Sequence, residues 1–141
     1  MTVVDTSVAL KWLKRTDEKH IHQALLLLKG HLGDNKQITV PDLLFIEVAN
    51  ALATKTDTDN TQIKKDLKKL FEVGLKTHYT TKEELLKTSL LAKKHKTSVY
   101  DMLYAVIAKE HKTTLYTADK NFISKTKFKH VKHISEVELK A

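Results

Sequence analysis

The spacing of apolar residues changes repeatedly along this chain, and each change marks an element. Residues 2–5, Thr-Val-Val-Asp, read as a short buried strand, and the pattern that follows predicts a helix through about Leu13. Over residues 18–32, Ile21, Leu25, Leu28 and Leu32 recur at helical spacing, and Gly33 just beyond predicts the stop. Residues 37–40 predict a strand closed by Pro41, with Asp42 the expected N-cap of a helix through Thr54. Residues 59–73 predict an amphipathic helix with Ile63, Leu67, Leu70 and Phe71 on its inner face and Gly74 at its end. A strand is expected over 75–79. Thr80 or Thr81 then opens a helix through His95, with Glu83 and Glu84 as first-turn acids. Ser98 or Val99 starts another helix, to His111. A strand over 114–117, a short helix over 120–125 and a last short strand over 130–134 complete the series.

Strands that alternate with helices pair in parallel through right-handed crossovers, which predicts a three-layer α/β/α sandwich. At 141 residues, with no linker, repeat or low-complexity segment, the expectation is one domain spanning 1–141. In open parallel sheets, sites form beyond the carboxyl ends of the strands, and Asp5 and Asp119 fall at such ends.

Composition narrows the chemistry. The chain is 41% hydrophobic and 30% charged, as folded domains are. It has no cysteine, which excludes disulfides, thiolate metal sites and cysteine nucleophiles. The opening residues lack a basic and apolar leader, and no apolar run approaches the roughly 20 residues of a membrane span, so a cytoplasmic location without membrane contact is expected. Lys and Arg outnumber Asp and Glu by 25 to 17, for a formal charge of +8, which favours polyanionic partners. Arg15 is the sole arginine, so contact with a nucleic-acid backbone is expected over reading of base edges.

Against this basic background, four acids adjoin or interrupt apolar stretches: Asp5, Glu47, Asp101 and Asp119. Each has a plain structural role open to it. Asp5 and Asp119 stand where helix N-caps belong. Asp101 follows Ser98 at capping-box spacing, although it shares a face with Tyr104, Ala105 and Ala108 and so points toward packing. Glu47 lies beside a buried stripe and could pair with a lysine. Taken jointly they say more. Two carboxylates ~4 Å apart repel by roughly 4 kcal/mol at an effective dielectric near 20, so a cluster calls for protons or a divalent cation. Carboxylates holding a hard cation point to phosphate chemistry.

The chain also resembles a known family. Val3-Val4-Asp5-Thr6-Ser7-Val8-Ala9-Leu10-Lys11-Trp12 is similar to the opening of PIN-domain ribonucleases of the VapC toxin type. The likeness continues through Pro41-Asp42-Leu43-Leu44, Glu47-Val48-Ala49-Asn50-Ala51-Leu52, residues 100–108 and residues 115–122, in the family's order. The resemblance implies a parallel sheet of about five strands and an acid set of Asp5, Glu47, Asp101 and Asp119 that holds Mg²⁺ or Mn²⁺. It implies supporting roles for Thr6, Ser7, Asn50 and Thr117 in orienting carboxylates or waters. The implied activity is hydrolysis of RNA to a 5′-phosphate and a 3′-hydroxyl. The implied partners are an RNA substrate, a small antitoxin that covers the site and a second copy in a homodimer, with the amphipathic helices after Pro41 as the expected contact. A housekeeping RNA-processing nuclease, or a catalytically silent binding module on the same fold, are the alternatives.

Other side chains add less. Lys11, Arg15 and the group Lys120, Lys125, Lys127, Lys129 and Lys132, with Phe122 and Phe128 interleaved, are candidates for drawing RNA toward an acidic pocket. Lys64, Lys65, Lys68 and Lys69 read as an exposed helix face. Trp12, Tyr100 and Tyr104 read as packing, and the histidines match no zinc-hydrolase spacing. A haloacid-dehalogenase-type phosphatase would need an aspartate where Ser7 stands, and a receiver domain would need adjacent acids near the first strand; neither pattern is present.

Overall fold

The structure is a computed structural model, and it describes residues 1–15, 17, 19–33 and 36–138. Its centre is a five-stranded sheet of order β3-β2-β1-β4-β5, parallel throughout. The strands are β1 (Thr2–Val4), β2 (Ile38–Pro41), β3 (Lys76–His78), β4 (Leu115–Thr117) and β5 (Val131–His133). Seven helices flank the sheet among the described residues: α1 (Thr6–Trp12), α2 (Ile21–Gly33), α3 (Leu43–Thr54), α4 (Asn60–Glu72), α5 (Lys82–His95), α6 (Val99–Glu110) and α7 (Lys120–Thr126). A short 3-10 turn, Ile134–Glu136, follows β5. Helix α1 packs on α2 and α3, and α5 packs on α6. The expected α/β/α sandwich is therefore the observed one.

The short strands are buried because both faces are covered. Val3, Val4, Ile38, Val40 and Leu115 lose nearly all contact with water. Helix α6 supplies the other half of the core, with Met102 through Ala108 buried without interruption. Trp12 joins it, its indole N–H donating to the Ala24 carbonyl at 2.8 Å. His31 ties three elements: Nδ1 accepts the Ile38 N–H at 2.9 Å while Nε2 meets the Val73 and Gly74 carbonyls at 3.1 and 3.2 Å. Gly74, at φ +69°, supplies the left-handed turn that ends the α4 segment.

Several local expectations are corrected. Asp42 stands at the N-cap position of α3 as expected, but it takes helical dihedrals (φ −58°, ψ −23°) and its side chain makes no cap bond. Its N–H is drawn instead to the His78 carbonyl at 3.3 Å, which holds it to the end of β3. Phe71 and Leu32 are exposed. Phe71 follows the buried Leu70 by one residue, about 100° around the helix, and its ring lies near that of Phe45, ring centres 6.0 Å apart. In α2 the buried positions are Ala24 and Gly30, which leaves Leu32 at the free end. Gly33 is the last residue of α2, not the one after it. The helix begins at Ile21; the expected start at Glu18 lies outside the described residues.

What matters for function is a change of direction in the sheet. From β1 the chain steps to β2 and β3 on one side, then returns to lay β4 on the other. Loops leaving β1 and β4 therefore diverge and open a crevice at their carboxyl ends, the place where α/β sheets form sites. Asp5 follows β1, and Asp119 lies two residues beyond β4.

Candidate functional site: an acidic notch at the switch point

Asp5 and Asp119 both cap helices, as their positions suggest. The Asp5 carboxylate accepts the Val8 N–H at 3.4 Å to start α1, and Asp119 accepts the Phe122 N–H at 3.1 Å to start α7. Capping fixes each carboxylate at the sheet edge and uses only part of its acceptor capacity. Two hydroxyls then bind the pair together. Ser7 Oγ donates to Asp5 Oδ1 at 2.5 Å and accepts the Ala118 N–H at 2.9 Å. The Thr117 hydroxyl bonds to Asp5 and accepts the Asp119 N–H at 3.0 Å. Burial pushes the Asp5 carboxyl up to about 6; the Ser7, Thr117 and Val8 donors oppose the rise, and the Asp101 charge adds to it.

Glu47 arrives from α3 on the other flank. Thr6 Oγ1 donates to its Oε1 at 3.0 Å, and the hydroxyl of Tyr104, from α6, donates to the same oxygen. Tyr104 is buried and its phenol is held far above its ordinary range, by burial first and by Glu47 next. It therefore stays a neutral donor.

Asp101 sits in the first turn of α6, whose N-cap is Ser98; the Ser98 hydroxyl accepts the Asp101 N–H at 3.0 Å. Contrary to the expectation that it points into packing, Asp101 is exposed, at the mouth of a notch of about 80 Å³ lined also by Lys96, Thr97, Ser98, Asp119, Asn121, Phe122 and Lys125. Its carboxyl is nonetheless raised, by the protein mass around it, then by Asp119 and Glu47, with Ser98 and Lys125 opposing. Asp101 thus feels Asp5, Asp119 and Glu47, and four carboxylates from four segments share one field. Among the described residues, no three acidic or histidine side chains are gathered closely enough to hold one metal ion, and of the four acids Asp101 and Asp119 line the notch itself.

Of the expected supporting groups, Thr6, Ser7 and Thr117 contact the acids directly. Asn50 is exposed on α3, three residues beyond Glu47. Two expected cations are not available to a ligand. Lys11 is buried, 3% exposed, and its ammonium is spent on the Lys19 carbonyl at 2.6 Å and Asp17 at 3.2 Å. Arg15 is paired with Asp66 at 2.7 Å. Lys120, Lys125, Lys127, Lys129 and Lys132 are exposed, and Lys125 reaches the Lys96 carbonyl at 3.0 Å beside the notch. Tyr104 and Lys96 were not legible as site residues. The periodicity marks Tyr104 only as core, and its partner Glu47 lies on a different element. A wider, open hollow of about 510 Å³ lies between Lys14–Arg15 and the α3–α4 connection. It shares no lining residue with the acids, and its Asp59 is engaged in capping α4.

No curated protein matches this chain. Among solved structures it is similar to PAE2754 from Pyrobaculum aerophilum, at 19% identity and TM-score 0.70, covering 95% of this chain and 89% of that one. It is also similar to a toxin–antitoxin complex from Klebsiella pneumoniae, at 12% identity and TM-score 0.69, covering 95% and 98%. A third likeness is to VapC20 of Mycobacterium tuberculosis, a sarcin-ricin-loop-cleaving toxin, at 12% identity and TM-score 0.68, covering 88% and 94%. At such identities these likenesses speak to fold. The PIN-domain family model matches residues 2–129, nearly the whole length, and the chain belongs to the PIN-domain family.

Proposed function

We propose that this chain is a Mg²⁺- or Mn²⁺-dependent endoribonuclease, the toxin of a toxin–antitoxin pair. The observation that carries the reading is the shared field of Asp5, Glu47, Asp101 and Asp119 at the switch point of the sheet. All four offer hard carboxylate oxygens, the donor type that Mg²⁺ and Mn²⁺ favour, and a cation among them would relieve the burial that raises Asp5. When bound, the cation polarises a scissile phosphate and acidifies a water.

The chain's own residues supply the rest. Ser7 and Thr117 aim Asp5; Thr6 and Tyr104 engage Oε1 of Glu47, so its other oxygen can accept a proton from the attacking water. Lys96 and Lys125 at the rim, with Lys120, Lys127, Lys129 and Lys132 beyond, would offset the acids' repulsion of a phosphodiester. The basic balance of the chain favours an RNA partner for the same reason. The similar fold in the Klebsiella pneumoniae toxin–antitoxin complex supports a small protein antitoxin here, and a basic side chain of that partner would complement the charge of the acids. No helix among the described residues is long and apolar enough to cross a membrane.

The test compares Mn²⁺-dependent RNA cleavage by the native chain and by Asp101→Asn. Activity should fall by roughly a hundredfold or more, as when one group that stabilises developing charge is removed. The circular dichroism should not change, because Asp101 is exposed. Equal activity in both proteins would remove Asp101 from the mechanism, and absence of cleavage by the native chain would favour a silent binding module.

A further inference from the structure

The first turn of α6 presents an exposed aromatic ring, Tyr100, next in sequence to Asp101, which lines the acidic notch. Tyr100 is 60% exposed, whereas every residue from Met102 to Ala108 on the same helix is buried. It adjoins Asp101 in sequence and lies four residues before Tyr104, so Tyr100 and Tyr104 share one side of the helix. Tyr104 contacts Glu47 through its hydroxyl, so that side of the helix is the one turned toward Glu47. Lys96 and Lys125 line the notch together with Asp101, Asp119 and Asn121. Asp101 thus neighbours an exposed ring along the helix and two cations in the notch.

A lone exposed aromatic is ordinary on a protein surface, and it is this placement that gives Tyr100 a role. In a nucleotide the base hangs within a side chain's reach of its phosphate. A phosphodiester drawn to Asp101 by the lysines therefore brings a neighbouring base within reach of Tyr100. Every base has a π-face, so stacking there needs no base-edge reading, as befits a chain with a single arginine. Stacking does need a base freed from a duplex.

We propose that Tyr100 is a positioning residue that stacks on an unpaired nucleobase and so sets the register of the RNA against the acids. The proposal rests on the nuclease reading for its meaning but not for its test. That test is equilibrium binding, by fluorescence anisotropy without added divalent ion, of a ten-nucleotide single-stranded RNA and of an abasic ribose-phosphate chain of equal length. The native protein should prefer the RNA by roughly five- to a hundredfold, the range that one stacked base supplies. Tyr100→Phe should keep that preference. Tyr100→Ala and Tyr100→Leu should both lose most of it, since leucine restores apolar bulk without a π-face.

A preference that persists in Tyr100→Ala, or is kept in Tyr100→Leu, overturns the proposal, as does failure of the native chain to bind RNA. A fall in molar mass by light scattering on Tyr100→Ala would also overturn it and make the ring part of a protein contact. Ring-dependent binding without Mn²⁺-dependent cleavage would sink the nuclease reading and leave the stacking role standing.

Discussion

Without its hydroxyl, Tyr104 would leave Glu47 Oε1 with Thr6 as its sole donor among the described residues. The ring would still fill its place in the core, so Tyr104→Phe isolates one hydrogen bond to a charged, half-buried acceptor. The expected cost is about 1.5–3 kcal/mol of stability in urea denaturation. A loss of RNA cleavage of roughly ten- to a hundredfold should accompany it, because Glu47 is no longer aimed. Unchanged cleavage despite lowered stability would make the Tyr104 hydroxyl a core bond only. This residue also marks what local pattern cannot carry. Tyr104 reads as packing, which it is, but its partner lies 57 positions earlier on another helix, and only the fold brings the two together. Asp5 and Asp119 are different: both capping and a shared cluster were open from sequence, and the structure has each carboxylate capping its helix. Lys11 went the other way, since nothing in its neighbours announces that a lysine will be buried against Asp17 and a backbone carbonyl.

Helix α5 was legible at both ends, and the reason is local. Thr81 and Glu84 form a full capping box, with the Glu84 N–H to Thr81 Oγ1 at 3.1 Å and the Thr81 N–H to Glu84 Oε1 at 2.8 Å. Helix α3 starts where its N-cap residue Asp42 was expected, but the helical dihedrals of Asp42 leave its side chain without a cap bond, while its N–H reaches the end of β3. The outer face of α5 carries a feature that neither cap explains. Leu86 and Leu90 are 69% and 71% exposed, and Glu83 and Lys93 continue the same stripe at spacings of three, four and three. An antiparallel copy of α5 would set Leu86 against the partner's Leu90 and Glu83 against the partner's Lys93, a self-complementary arrangement that a two-fold axis requires. We infer the homodimer on this face, among the helices after Pro41. Native protein should scatter light as a dimer at micromolar concentration, and a Leu86→Lys, Leu90→Lys double variant as a folded monomer. A monomeric native chain, or a variant that stays dimeric, would move the contact elsewhere.

At the scale of the molecule, alternation of strands and helices sufficed for the layered sandwich, while the strand order β3-β2-β1-β4-β5, and with it the switch point, depends on contacts between segments far apart. The four acids stood out in the sequence by their apolar neighbours; that they share a field follows from that strand order. The burial of Asp5 has a sign that can be measured. The folded chain binds the Asp5 proton more tightly than the unfolded chain, with a pKa of about 6 against 3.8. Between roughly pH 4 and 6 the folded state therefore holds more protons, and metal-free stability should fall as pH rises through that window, by about 3 kcal/mol in full. Asp5→Asn keeps an oxygen for the Ser7 and Val8 donors but carries no charge. The most direct measurement is the thermal midpoint at pH 7.5, with and without Mn²⁺, for the native chain and for Asp5→Asn. Native protein should melt at a higher temperature when Mn²⁺ is added, since a cation that binds only the folded notch stabilises it. Asp5→Asn should start from a higher metal-free midpoint and gain little from Mn²⁺. Equal gains in the two proteins, or none in the native chain, would contradict a cation site built on these carboxylates.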